Sequence, residues 1–346
     1  MEKTRLGRTN LMVTKIGFGG IPIQRLNDED GIALVKECVN LGINFIDTAN
    51  GYTTSEERIG AALTGHRKEV ILATKTHARN AEEMSKTLEL SLKRLNTDYI
   101  DLYQFHGVSD LLTLEKVLEP DGILAVLEKA KANGIVRHIG ITSHQIDVAK
   151  KAVLSGRFET LMFPFNFITT EAADELIPLC RKLDVGFISM KPMGGGLLDN
   201  ASIAMKYLMQ FPDIVPIPGI EKLAEMKEML QIVKGSTKMT NAELLEMQQI
   251  KATLGTRFCH RCDYCQPCTM KIPISQVLTS KSVYRRMPPE RFFNKAMAEL
   301  FEKAKECSEC GECEKRCPYN LQIRGLIKEQ IEWYRDLKSK YEISLI

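Results

Sequence analysis

Eight of the ten cysteines fall in the last hundred residues, in two runs of regular spacing. The first is Cys259-x2-Cys262-x2-Cys265-x2-Cys268, in the stretch CHRCDYCQPC. The second is Cys307-x2-Cys310-x2-Cys313-x3-Cys317, followed by Pro318. The second spacing is one that holds a [4Fe–4S] cluster: three thiolates on a tight loop grip three irons, and a fourth, ahead of proline, points to a different cluster. The first run is a near copy with one residue fewer before its last cysteine and Thr269 in place of the proline. C-x2-C repeats also bind zinc. Zinc, however, needs neither four thiols in one run twice over nor the closing Cys-Pro. The eight thiols are therefore expected to hold two iron–sulfur clusters. Cys38 and Cys180 stand alone in apolar helical patterns and read as small buried core residues.

A second set of reactive groups lies upstream. Asp47, Tyr52, Lys75 and His106 each sit at or just beyond the end of a strand-like run. A tyrosine hydroxyl is ordinarily a poor acid at neutral pH. A lysine cation beside it favours the phenolate, and an aspartate can hold that lysine in place. A histidine can donate to a carbonyl oxygen. Together the four suit proton transfer to that oxygen while another group delivers hydride to carbon. A lone Asp or Lys at a strand end is more often structural. Four complementary groups at successive strand ends make a stronger case for chemistry.

What would place these groups is an alternation of short apolar runs and helical periods from about residue 15 to 233. The strand-like runs are KIGFGG, NFIDTA, VILATKTH, YIDLYQFHG, VRHIGITSH, TLMFPFNF, VGFISMKPM and IVPIPG. Helical patterns cover 28–41, 55–64, 81–95, 121–133, 147–155, 171–183, 200–210 and 221–233. Eight β-then-α units suit a closed (β/α)8 barrel, an α/β fold, or a doubly wound open sheet. The opening segment predicts a small hairpin on the barrel floor. The 346 residues are enough for a large domain and a small one, expected at 1–236 and 237–346. A net charge of +3 with no block of like charges gives no sign of nucleic-acid binding. No apolar run approaches a membrane span, and MEKTRLGRTN lacks the core of a signal peptide, so a cytoplasmic protein is expected.

The upstream residues resemble the aldo-keto reductase superfamily. Its D-T-A-x-x-Y motif reads Asp47-Thr48-Ala49-Asn50-Gly51-Tyr52, its A-T-K motif Ala73-Thr74-Lys75, and its strand-four histidine Phe105-His106. The resemblance covers about residues 3–235. It implies a (β/α)8 TIM barrel with NAD(P)H extended across its mouth. Tyr52 would be the general acid, Lys75 its activating neighbour, Asp47 the partner of that lysine, and His106 the group orienting the carbonyl. It further implies nicotinamide contacts from Thr142 and Ser143. The strand-six position where the family often has Gln is Met162, with Asn166 four residues on, and Met190 stands where many members stack an aromatic ring. Lys191, Gly194, Gly195 and Gly196 look like a pyrophosphate loop, and Gly219, Lys222 and Glu228 complete the cofactor set.

The tail is similar to an α-helical ferredoxin module, with helical stretches at 274–286, 290–306 and 323–341 and a linking helix from Asn241 to about 253. Two-cluster ferredoxins exchange their fourth cysteines. On that pattern one cluster takes Cys259, Cys262, Cys265 and Cys317, and the other takes Cys307, Cys310, Cys313 and Cys268. Trp333 and Tyr334 read as core anchors of the last helix. Aldo-keto reductases with such a tail form a subgroup that this chain resembles throughout. The expected activity is NAD(P)H-linked interconversion of a small carbonyl and its alcohol, with clusters that exchange electrons with a redox partner protein. The alternatives are an electron-transfer protein with a degenerate barrel, and clusters that serve mainly as staples.

Overall fold

The computed structural model describes residues 1–343. They divide into two compact units, Met1–Thr240 and a second from Asn241 onward. The first begins with an antiparallel hairpin of β1 (Lys3–Arg5) and β2 (Met12–Thr14). Eight parallel strands follow in chain order: β3 (Phe18–Gly19), β4 (Phe45–Asp47), β5 (Ile71–Thr76), β6 (Ile100–Phe105), β7 (Val136–Thr142), β8 (Thr160–Pro164), β9 (Gly186–Met190) and β10 (Ile214–Pro216). The first and last also meet. Gly17 N donates to Pro216 O at 2.9 Å and Gly19 N to Pro218 O at 2.8 Å, which curls the sheet into a barrel. A Cβ on Gly19 would lie 2.7 Å from Pro218 O, so this close approach of two backbones needs glycine.

Strand residues alternate inward and outward. The inward set includes Phe45, Ala73, Leu102, Met162, Ile188 and Val215, and Leu6 and Val13 of the hairpin segment join it. The outward set packs on the surrounding helices as a larger core. Helices follow the strands at 28–40, 55–62, 81–95, 123–132, 146–154, 176–182, 201–208 and 223–234. Cys38 and Cys180 are buried in that outer core, where burial pushes both thiols up to about 12.

One helix was not expected: Leu111–Leu118 lies in the segment after β6 read as loop. Asp110 caps it by accepting from Thr113 N at 2.8 Å, and Leu114 and Val117 bury its inner face. The helix expected over 171–183 is shorter, Leu176–Lys182, with turns before it.

The second unit is helical. Asn241–Leu254 has no buried residue; Ile274–Leu278, Ser280–Tyr284, Pro289–Phe292, Lys295–Lys305, Glu312–Lys315 and Ile323–Ile343 follow it. Two stretches expected as single helices are each divided, at Thr279 and at Phe293–Asn294, where Asn294 caps the next helix through Met297 N. Phe292, Phe301, Val277, Ile327 and Tyr334 centre the core, with Phe301 and Tyr334 stacked at 4.0 Å; Trp333 packs half-buried against them. Among the described residues no helix is long and apolar enough to cross a membrane.

Candidate active site

Register brings the polar set together. Asp47 pairs with Ala73 across β4 and β5, and Lys75 with Gln104 across β5 and β6. Asp47, Lys75 and Gln104 therefore point into the barrel at neighbouring positions. Lys75 Nζ donates to Asp47 Oδ2 at 2.5 Å and to Thr48 O at 2.8 Å, and Tyr52 lies beside it. Gln104 Nε2 donates to Asp47 Oδ1 at 3.2 Å. Burial draws the Lys75 ammonium down, but Asp47 and then Tyr52 outweigh it and hold it above the ordinary lysine range. The charged nitrogen lies 4.9 Å from the centre of the Tyr52 ring. Backbone bonds fix the loop carrying that ring: Thr48 N donates to Ala73 O, Asn50 N to Lys75 O and Tyr52 N to Ala49 O, each at 2.9 Å.

His106 follows β6 and meets Tyr52 edge to face, with ring centres 5.9 Å apart. Burial, then Lys75, His77 and Arg79, keep its imidazole well below the usual histidine range. It is neutral at neutral pH. Its Nδ1 is buried and has no hydrogen-bond partner among the described residues. A buried orphan N–H is rarer than a bare acceptor, which assigns the proton to Nε2. The arrangement can thus present a phenolic O–H and an imidazole N–H to one oxygen above a buried cation.

The expected cofactor contacts are scattered more widely. Thr142 ends β7, and its hydroxyl accepts from Gly107 N at 2.7 Å. Ser143 is buried beside it, its amide donating to Met162 O. Asn166 uses its amide locally: Nδ2 donates to Lys191 O at 3.0 Å, and Oδ1 accepts from Ile168 N and Thr169 N. Met162 is buried in the barrel interior, and Met190 lies half-buried at the end of β9. Lys191, Gly194, Gly195 and Gly196 all have positive φ, between 56° and 88°, and turn the chain sharply after β9. Lys191 Nζ meets His144 Nε2 at 2.9 Å. Gly219 packs on Pro22, the Lys222 amide donates to Glu225 at 3.0 Å, and Glu228 is exposed on the last barrel helix.

In the second unit, Cys268, Cys307, Cys310 and Cys313 line one cavity together with Ile272, Ile274 and Ile327. Four soft donors in an apolar shell suit iron–sulfur chemistry. The other four are also neighbours. Burial pushes Cys259 up to about 11 and Cys265 to about 12, and nearby thiols add to both. Burial also raises Cys262, and Cys317 is among the charges that face it. Arg324 braces the second loop with bonds to Glu314 and to Glu309 O.

The Aldo/keto reductase family model matches residues 15–202, more than half of the 346-residue chain. This chain belongs to the aldo/keto reductase family. A second model, a 4Fe-4S dicluster domain, matches residues 258–322. Among curated relatives, the uncharacterized oxidoreductase YqkF of Bacillus subtilis (strain 168) is 29% identical over 60% of this chain and 71% of its own. L-galactose dehydrogenase of Arabidopsis thaliana is 31% identical over 57% and 67%. Among solved structures, aldo-keto reductase AKR11C1 from Bacillus halodurans in its holo form superimposes with a TM-score of 0.63. It is 25% identical and covers 72% of this chain and 96% of that one. An aldo/keto reductase from Klebsiella pneumoniae in complex with NADP and acetate shares the fold, with a TM-score of 0.61 at 20% identity over 72% and 95%.

Two residues packed against this site were not expected from the sequence. Gln104 binds Asp47, and His77 stacks on His106 with ring centres 3.9 Å apart at 18°. Strand alternation carried the signal for Gln104, since 102 to 104 keep the inward phase and a polar side chain inside a barrel needs a partner; His77, exposed just past the end of β5, carries no such signal.

Proposed function

We propose that this chain interconverts an aldehyde or ketone and its alcohol, with Tyr52 supplying or accepting the proton at oxygen. The observation that carries this reading is the buried Asp47–Lys75 pair, its ammonium 4.9 Å from the centre of the Tyr52 ring, beside a neutral His106. A nicotinamide cofactor supplies the hydride when bound. The NADP complex of the Klebsiella protein supports that choice, and Thr142, Ser143, Lys191 and the glycine turn at 194–196 are the groups that would hold it.

The residues do the rest. His106 Nε2–H donates to the carbonyl oxygen and orients it. As hydride reaches carbon, the π pair moves to oxygen, and that oxygen takes the Tyr52 proton. Lys75 stabilises the phenolate left behind, and Asp47, fixed by Gln104, keeps Lys75 in place. Anaerobic, carbonyl-dependent oxidation of NADH or NADPH tests the proposal. Loss of turnover in Tyr52→Phe is the expected result, and unchanged turnover in that variant refutes it.

In the tail we infer two [4Fe–4S] clusters with the exchanged ligand sets, exchanging electrons with a protein partner. The cavity shared by Cys268 and the second run supports the exchange. Iron quantification with electron paramagnetic resonance tests the number. A stapling role has its own support: Cys265, Cys313 and Cys317 belong to the core of the second unit. Redox potentials that fail to respond to substrate, with turnover kept after ligand removal, would favour stapling over electron exchange.

A further inference from the structure

His106 has the least secured orientation of the four residues, judged by hydrogen bonds. Its Nδ1 finds no partner among the described residues, so no such bond fixes rotation of the ring. The last torsion of a histidine is broad and roughly two-fold. Packing must then decide which nitrogen faces the substrate.

That packing comes from His77. Its ring lies flat on the His106 ring, 3.9 Å between centres and 18° between planes. The Tyr52 ring closes another side, edge to face at 5.9 Å. His77 is itself seated. Its Cε1 would lie 3.4 Å from a Cβ at Gly107 and its Cδ2 3.9 Å from one at Gly51. Gly107, at φ +67°, is the residue directly after His106, so the turn that ends β6 leaves the space this ring fills. Arg79 NH2 donates to His106 O at 2.6 Å and anchors the backbone from the same loop.

We propose that His77 is a positioning residue, whose stacked imidazole holds His106 with Nε2 toward the substrate oxygen and covers the ring from water. The proposal rests on the mechanism given above. Both rings are neutral at neutral pH: burial, then Arg79, lowers His77. Two neutral imidazoles stack without like-charge repulsion, and the exposed face of His77 takes the solvent contact. The groups facing His106 are Tyr52 from the loop after β4, and Lys75, His77 and Arg79 from β5 and its loop. Asp110 and Glu83 in turn draw on Arg79.

The test compares His77→Ala, which removes the stack, with His77→Phe, which keeps a flat ring and removes the nitrogens. Both are read in the full chain under anaerobic conditions. In His77→Ala, kcat is expected to fall about 10- to 100-fold with KM nearly unchanged, the scale of a misplaced catalytic group. His106 also gains water, so its titration moves up toward the ordinary histidine range and kcat acquires an acid limb that the parent lacks. His77→Phe keeps the parent kcat and profile. Nitrogen NMR of 15N-histidine-labelled protein reads the His106 tautomer directly: single in the parent and in His77→Phe, mixed in His77→Ala.

A parent-like kcat, profile and tautomer in His77→Ala overturns the proposal. So does a loss in His77→Phe as large as in His77→Ala. Turnover that survives both His106→Gln and Tyr52→Phe instead overturns the mechanism on which it rests.

Discussion

Replacing Lys75 by Met separates the stability of the barrel from its chemistry. The Asp47–Lys75 pair is only 2% and 4% exposed on the lysine and aspartate side chains. Met keeps most of the lysine stem and deletes the ammonium. Asp47 then keeps Gln104, at 3.2 Å, and loses its cation. Removing one partner of a buried ion pair costs about 3–5 kcal/mol. For a unit of this size that is a fall in Tm of about 6–20 °C. Burial already pushes the Asp47 carboxyl up against the pull of Lys75, and without the lysine nothing comparable opposes it. A carboxyl raised in the folded state is comfortable when protonated. The variant should therefore lose stability as pH rises above the ordinary aspartate value of 3.8, over a wider span of pH than the parent, in which Lys75 opposes the rise. The double variant Asp47→Leu/Lys75→Met removes both charges and should recover most of the lost Tm. Its turnover should stay about 100- to 1000-fold down, since the charge that steadies the phenolate is still missing. The assays are thermal melts by circular dichroism and steady-state NADPH oxidation. Trp333, the single tryptophan, lies in the second unit and serves as a control that the tail is intact. A double variant as unstable as the single one, or one that keeps parental turnover, refutes the reasoning.

Other outcomes follow from separate features. Burial would raise Glu159, but His138, Lys131 and the Ile139 amide bring it down to about 2 from an ordinary 4.5. Its contribution is present above about pH 4.5 and lost as pH falls toward 2; Glu159→Gln should flatten that part of the urea midpoint against pH, by about 1–2 kcal/mol after solvent screening. Gly140→Ala would place a Cβ 2.2 Å from Thr160 Oγ1 and 3.0 Å from Gln104 Cγ. It should cost about 1–3 kcal/mol in a denaturant titration and lower turnover by disturbing Gln104. Cys268→Ala and Cys310→Ala should each lower iron from about eight to about four per chain and leave the same paramagnetic signal; different residual signals from the two would refute the exchanged assignment.

The barrel was legible because its strands are short apolar runs of fixed phase, and that phase alone put Asp47, Lys75 and the segment ending at His106 at one end. The expected hairpin from the opening segment is formed by β1 and β2. The helix at 111–118 was missed although Asp110 and Thr113 carry a cap signal, because it occupies a connection that βα alternation assigns to loop. In the tail, the break at Asn294 is a side-chain cap inside an otherwise continuous helical pattern, which periodicity does not register. Asn166 shows the limit of carrying roles along a sequence. An amide at that point can face a ligand or tie a turn, and here its bonds reach Lys191 O and two following amides. His77 and Gln104 do their work through neighbours that only the folded register supplies.

The hairpin decides which way traffic runs. Leu6 and Val13 are almost wholly buried against Phe45, Ala73 and Leu102, so the end of the barrel opposite Lys75 is stoppered. Protons and reactants must come and go by the strand tips, past Tyr52 and His106. Pulling that cork, by trimming the first fourteen residues or by Leu6→Asp, would wet the interior from beneath and let the aspartate–lysine couple trade protons with bulk water.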